Sequence, residues 1–471
     1  MNKPNLKEAM KRTKEKVKVI NYEIMDEFKQ IGKGKTYFIK TYGCQMNEHD
    51  TENIKAILDS MEFTEIDEME KADVILLNTC AIRENAHNKV FGYIGRIKHL
   101  KESRPDVIAG ICGCMAQEES VIEEILKKYN WIDIVFGTHN ISNIPKLLSK
   151  IIKEKSKEIE VFSIEGDVIE NIPVKRDSKY KAWINIMYGC DKFCTYCIVP
   201  YTRGKQRSRE KEYILEEVKE LVKNGYKEVT LLGQNVNAYG KDLYDDYGMD
   251  NLLSDVAKTG IERIFFVTSH PWDFTDEMIE VIKNNKNIMP YIHLPLQSGS
   301  DRILKLMGRK YTKEEYLTLY SKLKEALPNA SITTDIIVGF PNETKEDFED
   351  TLDVVRKCKY DSAFTFIFSP REGTPASKMK DDISLEEKEM RLQKLNELVN
   401  QYSKEANDKY LNKIVPVLVE GYSEKNSDML MGYTNTMKLV NITGDSKNIG
   451  KIVNVKITDV KTWSMTGEIV D

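Results

Sequence analysis

The sequence predicts an α/β protein with an N-terminal α/β domain on a parallel sheet, a central open (β/α)6 partial barrel and a small C-terminal β-barrel. Three observations carry this prediction. Strand-like and helix-like stretches alternate in two separate runs, the pattern that builds parallel sheets. A charged, irregular stretch separates the runs. After a long helix the pattern changes to short alternating strands punctuated by glycine. With 471 residues the chain is too long for one compact core. The expected divisions are a charged helical extension at 1–36, the first α/β domain at 37–150, a linker at 151–178, the partial barrel at 179–408 and the small barrel at 409–471.

Composition narrows the classes. Charged residues at 31% and hydrophobic residues at 41% fit a globular chain in water. No run approaches the ~18 apolar residues of a membrane span. The N-terminus lacks the apolar core of a signal peptide, and its acidic residues argue against a transit peptide. A cytoplasmic protein with no membrane partner is expected. The net charge of -5 means that any nucleic-acid contact must come from local patches.

In the first run, "TYFIKTYGCQMNEHD" reads as strand, loop and helix start, and "TENIKAILDSM" has helical apolar spacing. "ADVILLNTCAIRENA" is a buried strand ending at Cys80. "DVIAGICGCMAQ" is a strand running into a cysteine-bearing turn, and "WIDIVFGTHN" is a further strand. The second run supplies six strands, "AWINIMYG", "EVTLLGQN", "RIFFVTS", "MPYIHLP", "SITTDIIVGF" and "FTFIFSP", separated by helices such as "EYILEEVKELVKNG". In such folds sites gather at the carboxyl ends of strands, where Cys190, Gln234, Ser269, His293 and Gly339 fall.

The chain has eight cysteines, and in a large protein of a reduced compartment clustered cysteines read as metal ligands or catalysts before disulfides. Cys190, Cys194 and Cys197 lie in "MYGCDKFCTYCIVPYTRG" with spacing Cys-x3-Cys-x2-Cys. A short loop of thiolates can wrap one face of an iron–sulfur cluster, and three ligands on a four-iron cluster leave one iron open. Incidental buried cysteines and zinc with a distant fourth ligand are the competing readings. Cys44, Cys80 and Cys114 each follow a strand, 36 and 34 residues apart. Parallel strands can bring such ends together, but cysteine is also a common core residue. The residues alone leave a second cluster and three buried thiols equally open.

The triplet Cys190, Cys194 and Cys197, with Tyr196 before the last thiol, resembles the radical S-adenosylmethionine signature. "TYGCQMNEHD", "NTCAIRENA", "GCMAQ", "FGTHN", "LLGQNVNAYG", "HLPLQSGS", "DIIVGFP" and "SPREGTPA" extend the resemblance to the radical S-adenosylmethionine methylthiotransferase family, from about Tyr37 to the C-terminus. The resemblance implies two 4Fe-4S clusters, a radical-generating one on Cys190, Cys194 and Cys197 and an auxiliary one on Cys44, Cys80 and Cys114. It implies that one S-adenosyl-L-methionine methylates a sulfur at the auxiliary cluster and a second is cleaved to 5′-deoxyadenosyl radical. The implied product carries a methylthio group at C2 of N6-isopentenyladenosine, next to the tRNA anticodon. The partners expected are the tRNA anticodon stem-loop and an electron donor such as flavodoxin or ferredoxin, with the enzyme a monomer. Cys112, beside Cys114, is read as structural, and Cys358 as core. One departure is Asn342, where the family has glycine; asparagine tolerates left-handed backbone angles.

The resemblance also suggests cofactor contacts at Tyr196, Arg209, Gly233, Gln234, Ser269, His293, Ile337 and Gly339. Arg209 closes a basic run with Lys205 and Arg207 that is also read as a plain solvated helix entrance. Ile337 and Gly339 are expected to leave room for a flat ring. His270 reads equally as a capping residue or a ligand, and Gln297 as a ribose or substrate contact. The last segment resembles a TRAM domain, an RNA-binding barrel. Its Tyr422, Tyr433 and Trp463 alternate with Lys438, Lys451, Lys456 and Lys461, the residue types that stack bases and neutralise phosphates. A core Trp463 with ordinary surface lysines is the plainer reading. Two readings compete with the whole: the same chemistry on threonylcarbamoyladenosine or a ribosomal-protein aspartate, and a non-catalytic iron–sulfur RNA-binding protein.

Overall fold

Six parallel strands form the N-terminal sheet, in the order Thr64–Glu65, Thr36–Tyr42, Val74–Thr79, Ile108–Gly113, Ile134–Phe136 and Glu158–Glu160. This computed structural model describes residues 2–11, 17–81, 84–164 and 166–470. Residues 82 and 83 of the "NTCAIRENA" segment fall outside them. All six residues of Val74–Thr79 and of Ile108–Gly113 are buried, as expected of strands covered on both faces. Tyr42 lies opposite Thr79, and Thr79 opposite Gly113, so three neighbouring strands end level.

The expected extension is helical at Leu6–Lys11, but it and the expected irregular linker also contain strands. Val19–Asn21 pairs in parallel with Val168–Glu170, and Asn2 bridges to Glu160. Glu158–Glu160 is itself the sixth strand of the sheet. Each segment has only a short apolar alternation, "VKVINYEI" at 17–24 and "EIEV" at 158–161, set in charged surroundings. The pairing rests on backbone hydrogen bonds, to which sequence patterning is blind.

The six central strands are Lys181–Asn185, Glu228–Leu232, Arg263–Phe266, Tyr291–His293, Ser331–Val338 and Ser362–Ile367. They pair as two three-stranded parallel sheets rather than one. Among the described residues a single bridge, Ile264 to Ile288, joins them. The strand Tyr291–His293 starts too late to ladder with Arg263–Phe266. Helix-side residues such as Ile332, Ile336 and Val338 build the main core. The alternate residues Asp335 and Ile337 face the other way, opposite Phe364 and Phe366.

Five strands, from Ile414–Ser423 to Met465–Ile469, close the C-terminal barrel. It docks on the amino ends of the central strands. Arg263 donates to the carbonyls of Tyr433 at 3.0 Å and Thr434 at 2.9 Å, and Lys181 pairs with Glu420 at 2.5 Å. Among the described residues no helix is long and apolar enough to cross a membrane.

Candidate active site

Level strand ends place the first three thiols. Cys44 caps the helix Gln45–Ser60 directly after the strand Thr36–Tyr42, Cys80 follows Thr79, and Cys114 follows Gly113. Gly113 must be glycine: its φ is +90°, and a Cβ there would lie 2.2 Å from the Asn78 side chain. Hydrogen bonding with Cys80 leads the effects that draw the Cys44 thiol down to about 5, against burial and with help from the Arg203 charge. Burial pushes Cys114 up. Cys112, one pleat earlier, sits in the core on the far side with Leu76 and Phe136, and its thiol donates to the Leu77 carbonyl at 3.6 Å.

The second three thiols share one loop. Gly189, at φ +73°, lets the chain pass so close to Lys205 that a Cβ would lie 2.0 Å from its carbonyl oxygen. Cys190 N–H then donates to the Gly204 carbonyl at 3.1 Å, and Cys197 N–H to the Cys194 carbonyl at 2.9 Å. The loop is anchored from outside by Thr195, which donates to the carbonyls of Met307 and Leu306. Arg309 lies 3.5 Å from the Cys194 sulfur. Burial pushes Cys190 up to about 11 and raises Cys197 as well.

The strand ends beside this loop carry polar atoms without partners. Buried side-chain atoms of Gln234, Asn235, Ser269 and His270 make no hydrogen bond within the protein. His270 Nδ1 accepts from Trp272 N–H at 3.3 Å, which leaves its buried Nε2 as the unpartnered atom; burial holds the ring neutral, at about 2. His270 is thus both the cap and an available contact. Asp273 ties the loops together: Lys192 of the thiol loop lies at 2.6 Å, Asn235 at 2.7 Å and Lys241 at 2.8 Å. Burial alone would raise its carboxyl, but these partners hold it at about 2.

Several expected contacts are brought together. Tyr196 and Ile337, 141 positions apart, pack in one apolar cluster with Phe340 and Phe368. His293 bonds Thr333 Oγ1 at 2.9 Å, lies 3.3 Å from the Asp335 carboxylate and meets the exposed Phe364 ring edge-on. Gly233 backs onto Met187, where a Cβ would lie 2.5 Å from Cγ. Gln234 reaches across to the Met46 sulfur of the first domain. Gln297 is buried at φ +67°, its backbone bonded to Asp335 and Ile337. Asn342 adopts φ +68°, the left-handed geometry for which glycine would otherwise be used.

Three expectations need correction. Arg209 is not free for a cofactor: its guanidinium grips Glu170 with 2.5–2.9 Å contacts, the Asn185 carbonyl at 2.7 Å and Glu217 at 3.0 Å. Gly339 leaves no space for a ring. Its φ is +67°, and Lys388 fills the position a Cβ would take, at 2.4 Å. In the last barrel Lys438 is pinned on Asp361 at 3.3 Å and Tyr433 receives Arg263, so both serve docking. Trp463 and Tyr422 are each 58% exposed, which rules out a core Trp463.

Sequence reasoning missed Arg203, Asp273, Arg309 and Asn47, whose side chain accepts from the Cys44 thiol at 3.4 Å and lies 4.0 Å from the Cys114 sulfur. The one signal for Arg203 was its place six residues after Cys197, just ahead of the basic run that drew attention instead.

Among the described residues, no three His, Cys, Asp or Glu side chains form a group that could hold one metal ion. A cluster attaches each thiolate to a different iron, so its ligands stand farther apart than those of a single ion. Two sets of three thiols at strand ends, beside unpartnered buried polar atoms, fit iron–sulfur clusters and a polar cofactor. Arg203, six residues beyond Cys197, joins the thiol loop to the first set through the Cys114 sulfur at 3.2 Å.

Comparison with known proteins adds three findings. Residues 184–355 match the radical SAM superfamily, residues 36–137 an uncharacterized protein family, UPF0004, and residues 408–470 the TRAM domain. The chain is 58% identical to the tRNA-2-methylthio-N(6)-dimethylallyladenosine synthase of Bacillus licheniformis, covering 99% of this chain and 92% of that one. The synthase of the same name from Geobacillus kaustophilus is 56% identical, with 99% and 88% covered. In fold, the chain is similar to the radical S-adenosylmethionine methyltransferase TsrM of Kitasatospora setae with cobalamin and a 4Fe-4S cluster bound. The TM-score is 0.53 at 13% identity, over 73% of this chain and 77% of that one.

Proposed function

Because the chain belongs to the family of tRNA-2-methylthio-N(6)-dimethylallyladenosine synthases, we propose that it adds a methylthio group to C2 of N6-isopentenyladenosine beside the tRNA anticodon. The observation that carries the proposal is the pairing of two three-thiol sets at the carboxyl ends of two parallel sheets, facing one seam. When bound, a 4Fe-4S cluster on Cys190, Cys194 and Cys197 supplies the electron that cleaves S-adenosylmethionine, and one on Cys44, Cys80 and Cys114 supplies the sulfur.

The chain's own residues do the positioning. Gln234, Ser269 and the His270 ring offer hydrogen bonds to the polar groups of S-adenosylmethionine, and Tyr196 with Ile337 offers an apolar wall. Asp273 keeps the thiol loop and two neighbouring loops in one register through Lys192, Asn235 and Lys241. The exposed Trp463 and the exposed Lys451, Lys456 and Lys461 offer stacking and phosphate contacts for the RNA. The target base lies in a single-stranded loop, so little unstacking is needed to reach it. The expected setting is the cytoplasm, with reduction by a carrier such as flavodoxin or ferredoxin.

Mass spectrometry of tRNA nucleosides from cells lacking and regaining the gene tests this. The 2-methylthio form of N6-isopentenyladenosine should vanish and return, while threonylcarbamoyladenosine stays unchanged. Methylthiolation of threonylcarbamoyladenosine instead would move the reading to the related substrate.

A further inference from the structure

Arg203 leaves the central domain just after the short helix Val199–Thr202 and ends inside the first domain. Its side chain is almost fully buried. The Nε–H donates to Cys114 Sγ at 3.2 Å, and Nη2 donates to the Asp50 carboxylate at 2.7 Å. Asp50 is equally buried and lies on the helix that Cys44 caps. The backbone around Arg203 is held from both domains. Thr138 of the first domain donates to the Thr202 carbonyl at 2.8 Å, and the Gly204 carbonyl receives the Cys190 N–H at 3.1 Å. One step along the chain therefore separates a side chain on a thiol of one set from a carbonyl that holds a thiol-bearing residue of the other.

A buried guanidinium is costly to desolvate, and a single carboxylate would have been enough to neutralise it. Aiming its Nε–H at a sulfur as well does something further. A charge-assisted hydrogen bond to a ligating thiolate withdraws electron density from it, which makes the attached metal group easier to reduce and fixes the sulfur's orientation. Arginine suits this because its planar fork reaches a sulfur and a carboxylate at once; a lysine ammonium is a single point charge on a flexible stem.

We infer that Arg203 is the positioning residue that aligns the auxiliary thiol site with the radical-generating loop and tunes the group held on Cys114. The inference rests on the proposed function, since it takes Cys114 as a cluster ligand. It assigns Arg203 no contact with substrate or S-adenosylmethionine.

The test uses the full chain reconstituted anaerobically. In a background where Cys190, Cys194 and Cys197 are all Ala, only the auxiliary site can hold iron, so its reduction midpoint can be titrated alone by electron paramagnetic resonance. Arg203→Gln should shift that midpoint to more negative potential, and Arg203→Lys should recover part of the shift. Asp50→Asn keeps the arginine and removes the negative charge that offsets it beside Cys114, so it should shift the midpoint the opposite way, to more positive potential. It also keeps the inference testable if the arginine variants fold poorly. With both sites loaded, Arg203→Gln should lower the ratio of methylthio product to 5′-deoxyadenosine severalfold, with 5′-deoxyadenosine itself retained. An unmoved midpoint and an unchanged ratio would overturn the role of Arg203. No iron at all in the background protein would instead overturn the cluster reading itself.

Discussion

The central strands are sealed at both ends by a neighbouring domain, and each seal contains a buried arginine. At the carboxyl ends, Arg203 reaches a thiol and a carboxylate of the first domain. At the amino ends, Arg263 reaches two backbone carbonyls of the last barrel and lies 3.0 Å from Glu228. Around Arg203 stand the two thiol sets and buried polar atoms without partners at Gln234, Ser269 and His270. Around Arg263 stand docking contacts, Lys181 on Glu420 and Lys438 on Asp361. The candidate chemistry therefore collects where strands release their loops, while the opposite end holds docking contacts. The same residue type has two uses, and its partners, not its burial, tell them apart.

The largest effect expected from breaking this comparison is at the carboxyl end. Cys194→Ala should abolish reductive formation of 5′-deoxyadenosine while leaving about half the iron, because the other thiol set sits on another sheet. Undiminished 5′-deoxyadenosine from the reconstituted variant would sink the assignment. Replacing Cys44, Cys80 and Cys114 together by Ala should abolish methylthio product yet leave some cleavage of S-adenosylmethionine. Parallel assays of nucleoside and 5′-deoxyadenosine separate the two sets, and methylthio product from the triple variant would place the sulfur chemistry elsewhere.

The amino end should answer to pH rather than to cofactor. Burial raises the Glu228 carboxyl to about 7 in the folded protein, despite the Arg263 charge beside it. The folded state then binds a proton that the unfolded chain has released. This term favours the fold at low pH and fades as pH rises through the window up to about 7. Glu228→Gln should flatten the fall in stability between about pH 5 and 7, by on the order of 1–3 kcal/mol. Urea midpoints at several pH values check this; a variant with the same slope would refute it.

A smaller effect sharpens the contrast within the last barrel. Trp463→Ala should weaken tRNA binding by about 1–2 kcal/mol, on the order of tenfold, as loss of one stacked base does. Lys438→Ala should instead cost stability, because that lysine is held by Asp361. Equal affinity for tRNA in the Trp463 variant, measured at matched salt, would remove it from the interface. The smallest change is Cys112→Ala. It should leave both activities intact and cost about 1 kcal/mol of stability, the effect of trimming one small core side chain.

Much of the candidate site was legible in the chain. Cys190, Cys194 and Cys197 could be expected in one loop, because only seven peptide bonds separate the first from the last. The run "VILLNT" reads as a buried strand, and a thiol directly after it must lie at a strand end. Asn342 could be expected in the left-handed region from its residue type alone. Other readings failed for a common reason. Arg209 looked available because a basic run says nothing of acidic partners, and Glu170, its main partner, comes from the stretch read as a linker. Gly339 looked like an opening because the sequence does not say that Lys388, 49 positions on, lies against it.

By itself the sequence determined what is local: the thiol loop, the alternation of strands and helices, the change of pattern before the last barrel. Such features follow from spacing along the backbone and from the period of apolar residues. Only the tertiary structure decided which ends of strands stand together. Sheet register set Cys44, Cys80 and Cys114 level, and the packing of one domain on another put Arg203 against Cys114. Contacts between residues distant in the chain depend on how whole elements pack, and a charged side chain such as Arg203 reads the same in sequence whether it faces water or a buried sulfur.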